Sequence, residues 1–433
     1  MQHKKSGSAV LSRQEQRQSG IIAALDIGSS KVSCLIAEVK GTGTLEVIGI
    51  GHQASRGVKS GTIIDLRILE QVIGQVVHAA ETMAGGRLKG QPLRGVFVNV
   101  PGVHTLSHRL SVDVRIAGHE ITDKDVRSAL FQARGVEVAG RDQLIHAIPA
   151  SYTIDGHHGI AEPRGMYGNT LNVQISAITA MAPAVRNIMT ALTQNQLETD
   201  GLCASPYASG LACLVDDERQ LGATVIDMGG GTTSIGVFLE GKLVFTGAIP
   251  VGGQHVTNDV ARGLTTSLTS AERIKTLYGS AISTSSDDGD LIDVPPVGED
   301  EHTNPNHVPR SLLIGIIQPR IEETFELVRA KLVDCGINQA AGRRVVLTGG
   351  ASQLPGLCEM AQMILDKQIR QGHPLRIKGL ADGVAGPAFS TTAGLLIYGA
   401  EHLEEHPVEK EGFSGVIPGA IFQKVTHWLK ENW

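Results

Sequence analysis

Two stretches of this chain, far apart in sequence, follow one plan. In the first, an apolar run at 21–25 ends on Asp26-Ile27-Gly28-Ser29-Ser30-Lys31, continues through 32–39, turns at 40–43 and resumes at 45–50. In the second, the run 223–226 ends on Asp227-Met228-Gly229-Gly230-Gly231-Thr232-Thr233, continues through 234–239, turns at 240–242 and resumes at 243–247. Each reads as strand, Asp-apolar-Gly-small-small loop, strand, turn, strand. A helix follows each time. The first opens on the N-cap Asp65 and sets Leu66, Leu69, Val72, Ile73, Val76 and Ala80 on one face, and the second spans about 253–264. A repeat of this size predicts two duplicated α/β halves facing one another.

The loops have the chemistry of a phosphate cradle. Small residues let backbone N–H groups approach an anion, and Ser29, Ser30, Thr232 and Thr233 add hydroxyl donors. Lys31 either adds positive charge or points outward from the strand start. Asp26 and Asp227 end strands beside the loops, where carboxylates hold Mg²⁺ through water. Neither loop matches GxxxxGK[ST] or GxGxxG, and each leads into a hairpin rather than a helix, which argues against P-loop and dinucleotide folds. One such loop alone reads as a turn; two in matched contexts read as a binding site. A third element, Val345-Val346-Leu347-Thr348-Gly349-Gly350-Ala351, is a strand entering a glycine turn before a helix at 357–368. That helix either points its N-terminus at a ligand or simply closes a tight turn.

Charged residues are only 19% of the chain and the net charge is −6, which argues against nucleic-acid binding driven by overall charge and leaves only a local basic patch open. No apolar run approaches the ~18 residues of a membrane span. The five cysteines are odd in number, widely spaced and without CxxC, as expected of reduced, packed thiols. Residues 1–19 are polar and lack the apolar core of a signal peptide, which predicts a flexible tail. Residues 401–419 are acidic and carry Pro407 and Pro418, the composition of a solvated linker. The chain then ends, at 420–433, in an amphipathic pattern. Ile421, Phe422, Val425, Trp428, Leu429 and Trp433 fall within roughly 140° of a helical wheel, with Lys424, His427 and Lys430 opposite. Both tryptophans of the chain lie there. Such a helix either lies in a membrane interface or docks on its own domain.

These motifs resemble the nucleotide signature of the actin / heat-shock chaperone / sugar kinase superfamily. Pro206-Tyr207-Ala208-Ser209-Gly210-Leu211-Ala212 resembles its first connecting helix and Thr391-Thr392-Ala393-Gly394-Leu395-Leu396-Ile397-Tyr398 its second. The run 216–222, the run Ile249-Pro250-Val251-Gly252-Gly253 and the terminal helix are similar to the FtsA family of bacterial division proteins, over about residues 20–433. The resemblance implies an α/β, actin-like ATPase fold. The first half (1A) would comprise 20–97, 174–200 and 376–400, and the second (2A) 201–253 and 311–375. Subdomain 2B would span 254–310. An inserted α+β subdomain (1C) would span 98–173, with strands near 96–100 and 144–148 and a helix opened by Thr122.

The likeness also implies ATP with Mg²⁺. Its binding set would be Asp26, Gly28, Ser29, Ser30, Lys31, Gly229, Gly230, Gly231, Thr232, Thr233, Gly349, Gly350 and Ala351, with Asp26 and Asp227 toward the metal. Glu272 would accept from ribose and Lys275 flank the base, although the residues alone leave a surface i,i+3 pair open. Asp227 is the one candidate for catalysis. Where chaperone ATPases of this type carry Glu before the first connecting proline, this chain has Ser205, which implies slow hydrolysis. The implied partners are the FtsZ C-terminal peptide, met by Arg262, Arg273 and Lys275, a second copy of the chain, and later division proteins through 1C. The implied location is the inner leaflet of the cytoplasmic membrane at the division site. Other adaptors of this fold, for pilus assembly or cell shape, and a small-molecule kinase are the alternatives.

Overall fold

Both meanders form. Strand Ile21–Ile27 pairs antiparallel with Lys31–Val39, and that strand with Leu45–Ala54. Ala223–Met228, Thr233–Leu239 and Lys242–Ile249 repeat the pattern. Each then gains two parallel strands on the far side of its first strand: Gly95–Val100 and Glu198–Ala204 in one half, Arg344–Thr348 and Gln368–Gln371 in the other. The structure is a computed structural model, and it describes residues 19–40, 44–88, 90–135, 142–297, 306–337 and 342–405. Ile21–Ile27, Lys31–Val39 and Gly95–Val100 are buried along most of their length, as strands covered on both faces must be. Leu45–Ala54 alternates, because it lies nearer the sheet edge.

Two apolar cores fill the halves, the first extending through helix Ser205–Cys213 to Val225, Phe238 and Val346 of the second sheet. One gathers Leu25, Leu35, Ile73, Phe97 and Tyr398; the other gathers Ile235, Phe325, Val328 and Leu347. The predicted connecting helices, Ser205–Cys213 and Ser390–Glu405, cross between the sheets. They meet backbone to backbone: a Cβ placed on Gly394 would lie 1.7 Å from the carbonyl oxygen of Ala208.

The insertion is a subdomain with its own core of Ile116, Ile121, Leu130, Ile154 and Leu171. Its sheet runs Thr105–Arg115, Thr170–Met181, Asp142–Ile154, His157–Ile160. Helix Asp123–Gly135 covers one face with Val126, Ala129, Leu130 and Ala133. The carboxylate of Asp125 accepts from both the amide (2.8 Å) and the hydroxyl (2.6 Å) of Thr122, which fixes the helix start. His146, at the foot of this sheet, accepts the Ala204 N–H (3.1 Å), and burial pushes its pKa down to about 3.

The structure moves several expected boundaries. Gly95–Val100 belongs to the first half's sheet rather than to the insert, because it pairs with Ile21–Ile27 and Glu198–Ala204. The insert sheet starts at Thr105 and keeps strand character through Met181, beyond the expected end at 173. The helix expected at 357–368 is Leu357–Leu365, ended by Asp366 in the left-handed conformation. Helix Ser390–Glu405 runs into the expected linker. Most of the N-terminal tail, the remainder of the linker and the terminal amphipathic helix lie outside the described residues.

Candidate functional site

The two loops are the same hairpin at atomic detail. Gly28 N–H donates to the Lys31 carbonyl (3.0 Å), and Gly229 N–H to the Thr232 carbonyl (2.9 Å). They face one another across a cleft with about 790 Å³ of empty space, open to solvent at one side. A Cβ on Gly230 would lie 2.6 Å from the Cβ of Ser30, and one on Gly231 would lie 2.5 Å from the Ser29 hydroxyl oxygen. Glycine at these positions is what allows the loops to approach. Helix Gly253–Gly263 begins against the second loop, with the Gly253 and Gln254 amides donating to the carbonyls of Gly229 (3.0 Å) and Gly230 (2.7 Å). The Gln254 side chain reaches across to the Ser29 carbonyl (3.3 Å).

Behind the loops stand two buried carboxyls and one lysine. Burial raises the pKa of Asp26 to about 7; Lys31 opposes that shift, Asp227 adds to it, and the Thr392 hydroxyl opposes it at 3.4 Å. Burial also raises Asp227, against hydroxyls donated by Ser209 and Thr391 (2.8 Å for the latter) and against the charge of Lys31. Lys31 does not point outward. Its ammonium donates to the Ala388 carbonyl (2.5 Å) and sits 3.1 Å from the centre of the Phe389 ring, and burial lowers its pKa to about 8. A cation between the carboxyls would keep both ionised, and a glycine-built cradle lies directly in front of them, so these residues fit a metal–phosphate group. Among the described residues no cluster of three or more His, Cys, Asp or Glu side chains could hold a metal ion.

Of the residues expected here, Asp26, Gly28, Ser29, Ser30, Lys31, Asp227, Gly229, Gly230, Gly231, Thr232, Gly349 and Gly350 all line the cleft. Thr233 is buried in its strand and donates to the Val251 carbonyl (2.8 Å). Ala351 sits one residue past the lining, in the turn Gly350–Gln353. Glu272 and Lys275 close on each other at 2.7 Å, and the ammonium also donates to the Gly253 carbonyl (3.2 Å) and the Thr257 hydroxyl (2.9 Å). They therefore lie beside the helix start that carries the second loop rather than in the cleft lining. Arg262 and Arg273 are exposed on the packed helices Gly253–Gly263 and Leu268–Tyr278, whereas the Lys275 ammonium is engaged.

Asn99 also lines the cleft, and no motif in the sequence marks it. Its side chain accepts the Ile27 N–H (2.8 Å) and donates to the Ile27 carbonyl (3.4 Å) and to Ser205 Oγ (3.2 Å). It thereby fixes the backbone that follows Asp26. The available signal was one amide side chain in the otherwise apolar run Gly95-Val96-Phe97-Val98-Asn99-Val100. Ser205 donates onward to the Val100 carbonyl (3.1 Å), so the position holds a hydroxyl committed to the backbone.

Comparison with known proteins agrees with this architecture. The family model described as Cell division protein FtsA matches residues 224–394, and that of the SHS2 domain inserted in FtsA matches residues 102–179. The Cell division protein FtsA of Rhizobium meliloti (strain 1021) is 43% identical over 427 residues, which cover 96% of each chain. That of Pseudomonas aeruginosa is 35% identical over 420 residues, covering 96% of this chain and 99% of the relative. That of Escherichia coli (strain K12) is 34% identical over 421 residues, covering 95% and 98%. Among solved structures, a chain of the PilM-PilN type IV pilus biogenesis complex superposes with a TM-score of 0.61 at 18% identity, over 88% of this chain and 98% of that one. MreB5 of Spiroplasma citri gives 0.52 at 12% identity, over 89% and 98%. At such identities these likenesses speak for the fold alone, which is that of the actin-like ATPases. With an SHS2 insertion in its first half and end-to-end similarity to the curated relatives, the chain belongs to the FtsA family of cell division proteins.

Proposed function

We propose that the cleft binds ATP with Mg²⁺ and that the chain is a division adaptor which links FtsZ filaments to the cytoplasmic membrane. The observation that carries this is the pair of glycine hairpins meeting across the cleft, with Asp26, Asp227 and Lys31 behind them. Backbone amides and the hydroxyls of Ser29, Ser30 and Thr232 would hold the phosphates. Asp26 and Asp227 would orient the hydrated metal, whose role is to neutralise phosphate charge. The MreB5 neighbour was solved bound to ADP, which supports a nucleotide in this fold. Glu272 and Lys275, on helix Leu268–Tyr278, would approach the adenosine from beside the start of helix Gly253–Gly263.

Hydrolysis would be slow. The carboxylate of Asp227 already accepts two hydroxyls, and Ser205 offers no base where a carboxylate would position water. Bound nucleotide would then act chiefly by stabilising the closed pair of halves, the state suited to self-association. Residues 421–433 would anchor the chain: Ile421, Phe422, Val425, Trp428, Leu429 and Trp433 would enter the headgroup boundary, and Lys424 and Lys430 would meet anionic lipid. One short helix binds reversibly, and assembly of several copies multiplies its hold. Among the described residues no helix is long and apolar enough to cross a membrane. The exposed Arg262 and Arg273 would receive the FtsZ C-terminal peptide, and the insert would meet later division proteins.

The test is sedimentation with anionic liposomes in Mg-ATP, alongside titration with an FtsZ tail peptide. Removing 421–433 should abolish liposome pelleting and leave peptide binding intact; undiminished pelleting sinks the tether. Arg262→Ala with Arg273→Ala should weaken the peptide about tenfold, and unchanged affinity moves the peptide elsewhere.

A further inference from the structure

Segment 101–105 is the root of the inserted subdomain, and it touches both halves beside the cleft. It leaves strand Gly95–Val100 through the turn Gly102–His104 and enters strand Thr105–Arg115. His104 Nε2 lies 3.1 Å from the Gly61 carbonyl and 3.2 Å from the Thr62 hydroxyl. A carbonyl only accepts, so Nε2 carries the hydrogen and the ring donates. Gly61 in turn donates its N–H to the Ser29 hydroxyl oxygen in the first loop (2.8 Å). By accepting there, Ser29 has its oxygen fixed while its own hydroxyl hydrogen stays available to a ligand.

Gly61 leaves no slack in this chain of contacts. Its φ is +78°, and a Cβ on it would meet Val103 (2.8 Å), Pro101 (3.3 Å) and Thr232 of the second loop (3.3 Å). The root also rests on the second half. A Cβ on Gly102 would lie 2.8 Å from the Ser234 hydroxyl oxygen and 3.0 Å from Ala248, and Thr105 donates to the Gly102 carbonyl (2.9 Å).

Behind the relay is a second pocket, open to solvent at one side, with about 650 Å³ of space counting the solvent in its mouth, lined by Ile27, Val58, Ile63, His104, Met181 and Ile188 among others. Ile27, Gly61 and Pro101 line this cavity and the cleft alike, so they form a wall between the two. Met181 is the last residue of the insert's last strand, so both entry and exit of the insert border the same space. Dense packing would freeze the root in one place. Here His104 is hydrogen-bonded on the cleft side and borders a solvent-open pocket on the other, which leaves that side of the root room to move.

We propose that His104 is a positioning residue that sets the Ser29 hydroxyl through Gly61, so that occupancy of the cleft is read at the root of the inserted subdomain. This rests on the nucleotide reading of the cleft. A phosphate drawn to Ser29 pulls on Gly61 and therefore on His104, and the insert turns on its two roots.

The experiment is hydrogen–deuterium exchange of the full chain, with and without Mg-ATP analogue, reading amides 229–232, 61 and 102–106, together with nucleotide affinity. In the wild type, nucleotide should slow exchange in all three places. His104→Ala should keep protection at 229–232, lose it at 102–106 and bind nucleotide about fivefold more weakly, the scale of one hydrogen bond. His104→Gln, whose amide can donate in place of Nε2, should restore both, and the exposed His78→Ala should change neither. If His104→Ala proves unstable, the wild-type response at 61 and 102–106 and the Gln variant decide. Protection at 229–232 with a silent root, or a His104→Ala response equal to wild type, overturns the inference alone. No protection at either loop in the wild type overturns the nucleotide reading and this inference with it.

Discussion

The two loops share one backbone and divide the work between them. The first supplies polar side chains: Ser29 and Ser30 at its tip, Lys31 at its exit, and Asp26 with its pKa raised to about 7. The second supplies almost bare backbone, Gly229-Gly230-Gly231, and an aspartate already satisfied by Ser209 and Thr391. The division follows from sterics. Two loops that both carried side chains at the tip could not approach as these do, since even one Cβ on Gly231 would meet Ser29 at 2.5 Å. Duplication made the frame, and divergence at the loop tips let the frame close.

The largest test of this asymmetry is the pH dependence of Asp26. Its folded pKa, about 7, lies above the unfolded 3.8, so the folded state holds the extra proton between those values. Stability without nucleotide should fall as pH rises from 4 to 7, by roughly 3.5 kcal/mol. Denaturant unfolding of Asp26→Asn should lose most of that slope, the remainder coming from Asp227, which burial also raises, and an unchanged slope assigns it to another group. Next is Gly231→Val, which forces the loops apart. Overpacking of this kind costs about 3 kcal/mol, or roughly 100-fold in nucleotide affinity by calorimetry; affinity within threefold of wild type would mean that closure is not needed.

Gly28→Ala and Gly229→Ala sharpen the comparison within the hairpins. The new Cβ would lie 2.8 Å from the Lys31 carbonyl oxygen in one and 3.2 Å from that of Thr232 in the other. The first substitution should cost about 1 kcal/mol more than the second in melting experiments. The smallest effect is Glu272→Gln. The carboxylate is 54% exposed, so stability should change by less than about 1 kcal/mol. Weaker ATP with unchanged inorganic triphosphate affinity would place this residue at the sugar; equal changes in both would not.

The duplicated meanders and the loops were legible because they are local: alternation, an acid and small residues occur in order along the chain. The insert's edges were not. An apolar run such as 95–100 does not reveal which sheet will take it, and its place was settled by parallel pairing with strands from either side of the insertion. The hydroxyls of Thr391 and Thr392 were visible as part of a helix motif, but their reach to Asp227 and Asp26 depends on how that helix is docked. The start of a strand allows Lys31 to face either way, and only the docked Ala388 carbonyl and Phe389 ring turn it inward. His104 carried no signal at all, since its partner Gly61 is distant in sequence and offers only backbone.

Helix Ser390–Glu405 has its first turn at the cleft, where Ser390, Thr391 and Thr392 bond to Thr348, Asp227 and Asp26. Its 16 residues make a rod of about 24 Å, and in sequence the linker that leads to residues 420–433 follows its far end. A rigid rod gripped at one end is a pointer. If the two aspartates shift so that the helix tilts by about 10° about Gly394, its far end, about 16 Å away, sweeps about 3 Å. Because Gly394 presses on Ala208 without an intervening side chain, that crossing is a natural fulcrum. The state of the cleft would thus be written as a direction at the place where the last segment departs.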